Sequence, residues 1–340
     1  MTTSNELPVR TDARPPTSRR RKVLIIVSLV LLLPLAALFA LAMQRQYVYD
    51  SNIQRVQDVF PAEQDRPAKA VRSAQNWLVI GADRRPDEGG FQRSDCIMIA
   101  HIPADRKRVY LISIPRDSYV AIPGHGKDKI NSAYAYGGPR LLITTVEKLT
   151  GVRIDHFAAL DFAGFVAMTK ALGGVTVYIS KDSYDSANKV TWRQGETLLE
   201  GEQALLFVRQ RFGLPGGDFD RIKRQQAFLR AMMQKALSKG MLTDPFALDE
   251  FLQALTKSVT VDSSVTISTF RDLAFELRGV RGGDMLSTTM PVTGSDTVKG
   301  MSIVRLDARE GARLAEAIRN DTLDHYFTDN GGLNDTSTVM

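Results

Sequence analysis

Arginine and aspartate side chains collect at the ends of short apolar runs in this chain, a pattern suited to holding a phosphorylated ligand and a hard cation. Asp83 follows the run Trp77-Leu78-Val79-Ile80 in Gly81-Ala82-Asp83-Arg84, and Arg93 and Asp95 open the next run in Arg93-Ser94-Asp95-Cys96. Two residues apart on an extended chain, Arg93 and Asp95 point to the same side. If those two runs are neighbouring strands, Asp83 and Asp95 share one cation such as Mg²⁺, which takes one or two carboxylates plus phosphate oxygens. Arg116 and Asp117 close a third run, where Pro115 turns the chain. Phe207-Val208-Arg209-Gln210-Arg211 adds two more guanidiniums, on one side if that segment is extended. Asp218, Arg221 and Gln225 are spaced three and four apart and share a face if a helix starts at Asp218. Arginine's planar fork binds phosphate through two hydrogen bonds, so Arg93, Arg116, Arg209, Arg211 and Arg221 with two or three aspartates describe a pyrophosphate and metal site. The competing reading makes the aspartates turn and cap residues and Arg221, Lys223 and Arg224 a solvated basic face. It accounts for Asp218 and its helix and leaves Arg209 and Arg211 without a role.

Other chemistries drop out. There is no Gly-x-Ser-x-Gly elbow, and Gly124-His125-Gly126-Lys127 lacks the earlier Gly and the following Ser/Thr of a phosphate-binding loop. His101, His125, His156 and His325 show no metal-ligand spacing. The one cysteine, Cys96, excludes an internal disulfide.

The elements that position these residues follow from apolar periodicity. Trp77 to Ile80, Cys96 to Ala100 and Val109 to Ile114 read as buried strands, and Leu141 to Leu149 has helical spacing ended by Gly151. His156 to Leu160 reads as a strand, Phe162 to Leu172 as a helix and Val175 to Ile179 as a strand. Helices are expected over 201–208, 220–237, 245–258, 268–277 and 308–320, with strands over 285–290 and 302–306. Alternating strands and helices predict an α/β fold whose sheet is covered on both faces.

The chain has 340 residues with 44% apolar and 24% charged, within the globular range. Its net charge of +6 is mostly a tail effect: residues 1–22 hold six basic against two acidic side chains. Nucleic acid is therefore not an expected partner. Residues 1–22 read as a disordered cytoplasmic tail. The uncharged stretch 23–43 is long enough to cross a bilayer as a helix, and the arginines before it place the N-terminus in the cytoplasm and the rest outside. A cleaved signal peptide is the alternative, suggested by Ala40-Leu41-Ala42, but the apolar stretch exceeds the usual length of such a segment. Residues 44–75 read as a juxtamembrane linker, within which 48–60 is a candidate for one short element of the domain, 76–325 as the extracytoplasmic domain, and 326–340 as a flexible tail.

The segments NWLVIGADRR, RSDCIMIAHI, LISIPRDSYV, KINSAYAYGG, FVRQR and GDFDRIKRQQAFLRAM occur in the order found in the LytR-CpsA-Psr family of bacterial cell-envelope phosphotransferases. The resemblance covers about residues 76–240 and, less distinctively, continues to about 320; the Ala- and Arg-rich composition suggests an actinobacterial member. It implies a three-layer α-β-α sandwich with a central mixed sheet, preceded by one transmembrane helix. It also implies transfer of a glycopolymer from a polyprenyl-pyrophosphate carrier to peptidoglycan, with release of polyprenyl phosphate. By this resemblance Asp83 and Asp95 hold Mg²⁺, or Mn²⁺ in its place. Arg93, Arg116, Arg209 and Arg211 clamp the pyrophosphate, and Lys129, Asp218, Arg221 and Gln225 complete the pocket; Arg93, Arg116, Asp218 and Arg221 are the residues expected to act on the reacting phosphate. Cys96 stands where many members have threonine and reads as a packing residue. The additional C-terminal domain of some relatives is not expected here.

Such chemistry rests on positioning and charge stabilisation, which agrees with the missing Ser/His and Cys/His motifs. The general base is either Asp218 or a metal aspartate. Apolar segments 157–165 and 228–233 are candidates to line a groove for the polyprenyl tail, though core packing explains any one of their residues. A pyrophosphatase, with water in place of the sugar hydroxyl, and a non-catalytic membrane-anchored regulator binding such lipids are the alternatives. The polymer, whether arabinogalactan, teichoic acid or capsule, is not legible from the residues.

Overall fold

The computed structural model describes residues 40–82 and 94–340. The chain divides into two units, Met1–Val48 and Tyr49–Met340. In the first, the described residues 40–48 are helical (α1); the rest of the expected anchor, 23–39, lies outside the described residues, among which no helix is long and apolar enough to cross a membrane.

The described residues of the second unit contain fifteen strands in chain order. They are β1 Gln54–Val56, β2 Gln75–Ala82, β3 Ser94–Ile102, β4 Val109–Ser113, β5 Tyr119–Ile122, β6 Gly126–Lys129, β7 His156–Asp161, β8 Val175–Ile179, β9 Ser183–Asp185, β10 Val190–Trp192, β11 Gly195–Leu199, β12 Val259–Asp262, β13 Met285–Thr289, β14 Val292–Val298 and β15 Met301–Leu306. Its helices are α2 Ile130–Thr150, α3 Phe162–Ala171, α4 Gly201–Arg209, α5 Asp218–Ala236, α6 Lys239–Thr243, α7 Pro245–Ser258, α8 Ile267–Glu276, α9 Ala308–Arg319 and α10 Leu323–Asn330.

Seven strands form one mixed sheet in the order β1-β12-β7-β2-β3-β4-β13. The β2/β3, β3/β4 and β7/β12 pairs are antiparallel, whereas β2/β7, β4/β13 and β1/β12 are parallel. Because side chains alternate along a strand, both faces need cover. On one face Leu78, Ile80, Ile97, Ile99, Ile112 and Phe157 pack against Leu142, Ile143 and Val146 of α2 and Leu314 and Ile318 of α9. On the other, Trp77, Met98, Leu111, Val261 and Met285 meet Leu229 and Met233 of α5, Leu252 of α7 and Leu273 of α8. This is the three-layer arrangement with a mixed central sheet.

A third apolar cluster joins α3, α4 and α5 to the antiparallel β8/β11 pair through Met168, Val177, Phe207 and Phe228. The β8 run is therefore a strand, but it pairs outside the main sheet.

Both ends of the expected domain extend further than composition suggests. Within 44–75, β1 pairs with β12, Ile53 is buried, and Arg66 lies 2.8 Å from the buried Glu147, so this segment is part of the fold. Residues 326–340, expected to be a flexible tail, begin inside α10 and then cross the domain. Asn334 donates to Ser287 O at 2.7 Å and to Gln226 Oε1 at 2.8 Å, and Ser180 N donates to Val339 O at 2.7 Å. Hydrogen bonds to buried partners order a Gly-, Asn- and Ser-rich segment that has little apolar surface of its own.

Candidate active site

Five elements bring the predicted polar residues to one end of β3 and β4. Asp95 is the second residue of β3, beside the edge where Ala82 at the end of β2 pairs with Ser94. Arg116 sits in the turn after β4, closed by Ser118 N donating to Pro115 O at 2.9 Å; Pro115 cannot donate to a ladder, so the strand ends before it. Lys129 ends the β5/β6 hairpin, Arg209 ends α4, and Asp218 begins α5 with Arg221 and Gln225 on the following turns.

The loop between α4 and α5 depends on Gly213, whose φ is +80° and whose Cβ, were it present, would lie 2.0 Å from the Tyr184 carbonyl oxygen. Only glycine fits there.

The charges interlock. Arg116 pairs with Asp95 and stands 3.8 Å from Asp117 and 3.7 Å from Asp218, while Lys129 Nζ lies 2.9 Å from Asp117. Asp218 Oδ1 is approached by Arg221 Nη2 at 2.7 Å, Arg211 Nε at 3.6 Å and Arg116 Nε at 3.7 Å. These are charge contacts: Asp218 Oδ1 has no aligned hydrogen bond, and the buried Nε atoms of Arg116 and Arg221 have no acceptor among the described residues. Buried guanidinium donors without acceptors are costly, and an anionic ligand at this point would satisfy them. Arg221 is only 3% exposed, and burial lowers its pKa against the raising effect of Asp218. A phosphate would offset that desolvation.

Next to this cluster an apolar cavity of about 120 Å³ opens between the sheet and helices α3, α4 and α5. Phe162, Phe165, Val208, Phe228, Leu229 and Met232 supply much of its wall, and Asp95, Arg209 and Gln225 are among its polar lining residues. The Arg209 guanidinium lies over the Phe162 ring at 4.2 Å, a cation–π contact that holds it at the polar edge. Gln225 Nε2 donates to Val208 O at 3.3 Å, joining α5 to α4. Cys96 also lines the cavity, and burial pushes its thiol up to about 11, so it is neutral and a poor nucleophile.

The structure thus brings together Asp95, Arg116, Lys129, Arg211, Asp218 and Arg221, and sets Arg209 and Gln225 at the adjoining cavity. Asp83 and Arg93 lie outside the described residues. Arg209 and Arg211 do not share an extended strand: Arg209 is helical and Arg211 follows the helix. Asp218 is not a cap, since Gly217 holds that position and no side chain caps α5. The solvated basic face is corrected as well. Arg221 is buried, and Arg224 is fully buried, donating to Gln210 Oε1 at 2.7 Å and Ser183 Oγ at 2.8 Å, with burial lowering its pKa to about 10.

Asp117, which the sequence places beside Arg116 at the end of the third run but not among the site residues, links Arg116 to Lys129; its adjacency to Arg116 is the available signal. For a cation, Asp95 offers the hard oxygen chemistry Mg²⁺ takes. Among the described residues no group of three His, Cys, Asp or Glu side chains forms a metal cluster, so an ion here fits only as one held by one or two carboxylates with phosphate oxygens.

The LytR_cpsA_psr family model matches residues 44–320. The chain belongs to the LytR-CpsA-Psr family. Among its LytR-CpsA-Psr relatives, the probable cell wall biosynthesis protein LcpB of Corynebacterium glutamicum is 36% identical over 256 residues, covering 72% of this chain and 59% of LcpB. The chain therefore spans under two thirds of that relative's length. The polyisoprenyl-teichoic acid–peptidoglycan teichoic acid transferase TagU of Enterococcus faecalis is 33% identical over 245 residues, 71% of this chain and 76% of TagU. A solved TagT bound to LI-WTA superposes with a TM-score of 0.60 at 25% identity, covering 76% of this chain and 96% of that one.

Proposed function

We propose that this protein is a membrane-anchored phosphotransferase. It moves a cell-wall glycopolymer from a polyprenyl-pyrophosphate carrier to a sugar hydroxyl of peptidoglycan outside the cell. The observation that carries this reading is the pair of buried guanidinium Nε atoms without acceptors among the described residues, on Arg116 and Arg221, beside an apolar cavity. A ligand with a pyrophosphate head and a hydrocarbon tail matches both halves. TagU's name states a polyisoprenyl-linked donor and a peptidoglycan acceptor, which supports the same assignment here.

In this reading the arginines clamp the pyrophosphate and the tail enters the cavity past Phe162 and Val208. The acceptor hydroxyl oxygen attacks the sugar-linked phosphorus, and the bond from that phosphorus to the bridging oxygen breaks. Polyprenyl phosphate departs, and the hydroxyl proton passes to a carboxylate of the cluster. Arg116 and Arg221 stabilise the charge that develops on the transferring group and the leaving phosphate. Asp95, with Asp83, would hold Mg²⁺ or Mn²⁺, which when bound would neutralise part of the pyrophosphate charge.

The test incubates the full chain in membranes with lipid-linked donor, with and without acceptor glycan. Glycopolymer–peptidoglycan product is expected. Donor hydrolysis unaffected by acceptor would replace this reading with a pyrophosphatase, and donor bound without being consumed would replace it with a regulator.

A further inference from the structure

The β5/β6 hairpin and α2 adjoin the arginine cluster through Lys129 at the hairpin's foot and Asn131 at the helix start, and the hairpin tip lies further along the same strands. Gly124 and Gly126, with φ of 78° and 73°, flank His125, and His125 N donates to Ile122 O at 2.9 Å to close the tip. The His125 ring stacks on Tyr136 with centroids 4.5 Å apart and planes 13° from parallel. Tyr136 is 50% exposed, and its hydroxyl donates to Asp128 Oδ2 at 2.6 Å. These two stacked rings lie at the surface, outside the apolar cores.

This pair is tied to the reacting end. Asp128 precedes Lys129, which pairs with Asp117 beside Arg116. The start of α2 is held by Ile130 N donating to Ser118 O at 2.8 Å and Asn131 N to Arg116 O at 3.2 Å. From Asn131 to Tyr136 the helix advances about 8 Å, and just past Tyr136 it breaks at Gly137 and Gly138. The rings are thus fixed to the backbone of the residue that contacts three aspartates of the cluster.

We propose that His125 and Tyr136 form a platform for a pyranose ring of the acceptor glycan, with the Asp128 carboxylate accepting hydrogen bonds from its hydroxyls. The flat C–H face of a pyranose carries slight positive charge and packs on the electron-rich face of an aromatic ring, while carboxylate oxygens are strong acceptors for hydroxyl donors. Lys129, at the foot of the same hairpin, leads from that platform back to Asp117 and Arg116. That the sugar is the acceptor rests on the transferase reading above.

The test measures binding of soluble peptidoglycan glycan strands, alternating N-acetylglucosamine and N-acetylmuramic acid, to the full chain in lipid nanodiscs by saturation-transfer NMR and titration. Wild type is expected to bind, Tyr136→Ala to bind about tenfold more weakly, and Tyr136→Trp, which keeps a ring, to bind nearly as wild type. His125→Ala, at an exposed hairpin tip, gives a second loss should Tyr136→Ala fold poorly. No binding by wild type, or equal binding by wild type and both alanine variants, overturns the platform. Consumption of lipid-linked donor is followed separately. Glycan binding without donor consumption removes the transferase reading and keeps the platform, whereas transfer with unchanged glycan affinity in the variants removes the platform alone.

Discussion

Replacing Arg221 with glutamine removes the charge nearest to Asp218 and leaves two others in place. Asp218 Oδ1 sees guanidinium nitrogens at 2.7, 3.6 and 3.7 Å, so by Coulomb's law Arg221 supplies roughly two fifths of the attraction Asp218 receives from them. Breaking a buried ion pair by deleting one partner costs about 3–5 kcal/mol. Because Arg116 and Arg211 still face the carboxylate, the lower end applies, about 3 kcal/mol, or roughly 5 °C in Tm for a domain of this size. Loss of one preorganised donor to the transferring phosphate lowers kcat by about 10²–10³. Arg221→Lys keeps the charge and lacks the fork, so it is expected to recover most of the Tm and little of the kcat. The assays are thermal unfolding of the full chain and glycopolymer transfer measured well below the lowest Tm. Wild-type transfer by Arg221→Lys, or a fall in Tm for Arg221→Gln with kcat unchanged, would refute the assignment of Arg221 to the phosphate.

Three further outcomes follow from the geometry. Val208→Trp places a large side chain in the cavity wall and is expected to raise KM at least about tenfold for a long-chain polyprenyl donor, while sparing a donor whose lipid is cut to one or two isoprene units; equal effects on both donors would argue against the cavity as the tail site. The Asp321 carboxyl is held below its ordinary value first by the hydrogen bond with His101 and then, against burial, by Ala104 N. Its contribution to stability is therefore complete above pH about 3.9 and lost as pH falls through the lowered value, so Asp321→Asn should flatten the loss of stability below pH 4 in acid unfolding curves. With its thiol pushed up to about 11 by burial, Cys96 should react with iodoacetamide at pH 8 roughly a hundredfold more slowly in the folded protein than in the unfolded chain, a ratio read directly by mass spectrometry.

Runs of β-branched and apolar residues between Gly and Pro made β2, β3, β4 and β7 legible, and 3.6-residue spacing did the same for α3, α5 and α9, because burial of a whole face leaves a periodic trace. Strands of three or four residues leave none: β12 exists because β7 and β1 flank it and β1 because β12 pairs with it, a tertiary fact. The C-terminal segment is ordered by single contacts to Ser287, Gln226 and Ser180, which composition does not register. In the site, the arginines and aspartates were legible as residue types at strand and helix ends. Their pairing was not, since Arg211 and Arg116 reach Asp218 from different elements. Arg224 shows the same limit: its three-residue offset from Arg221 reads as a basic face, yet Gln210 and Ser183 bury it as a strut. The cavity was foreshadowed by Phe162, Phe165 and Phe228, but only packing separates wall from core.

The most direct measurement is transfer of a radiolabelled polyprenyl-pyrophosphate glycan to peptidoglycan by the full chain in liposomes, with Mg²⁺ or EDTA, comparing wild type and Arg116→Ala. Labelled peptidoglycan that requires the cation and falls at least about a hundredfold in the variant is the expected result; label that stays on the lipid with wild type, or transfer undiminished in Arg116→Ala, would contradict the account.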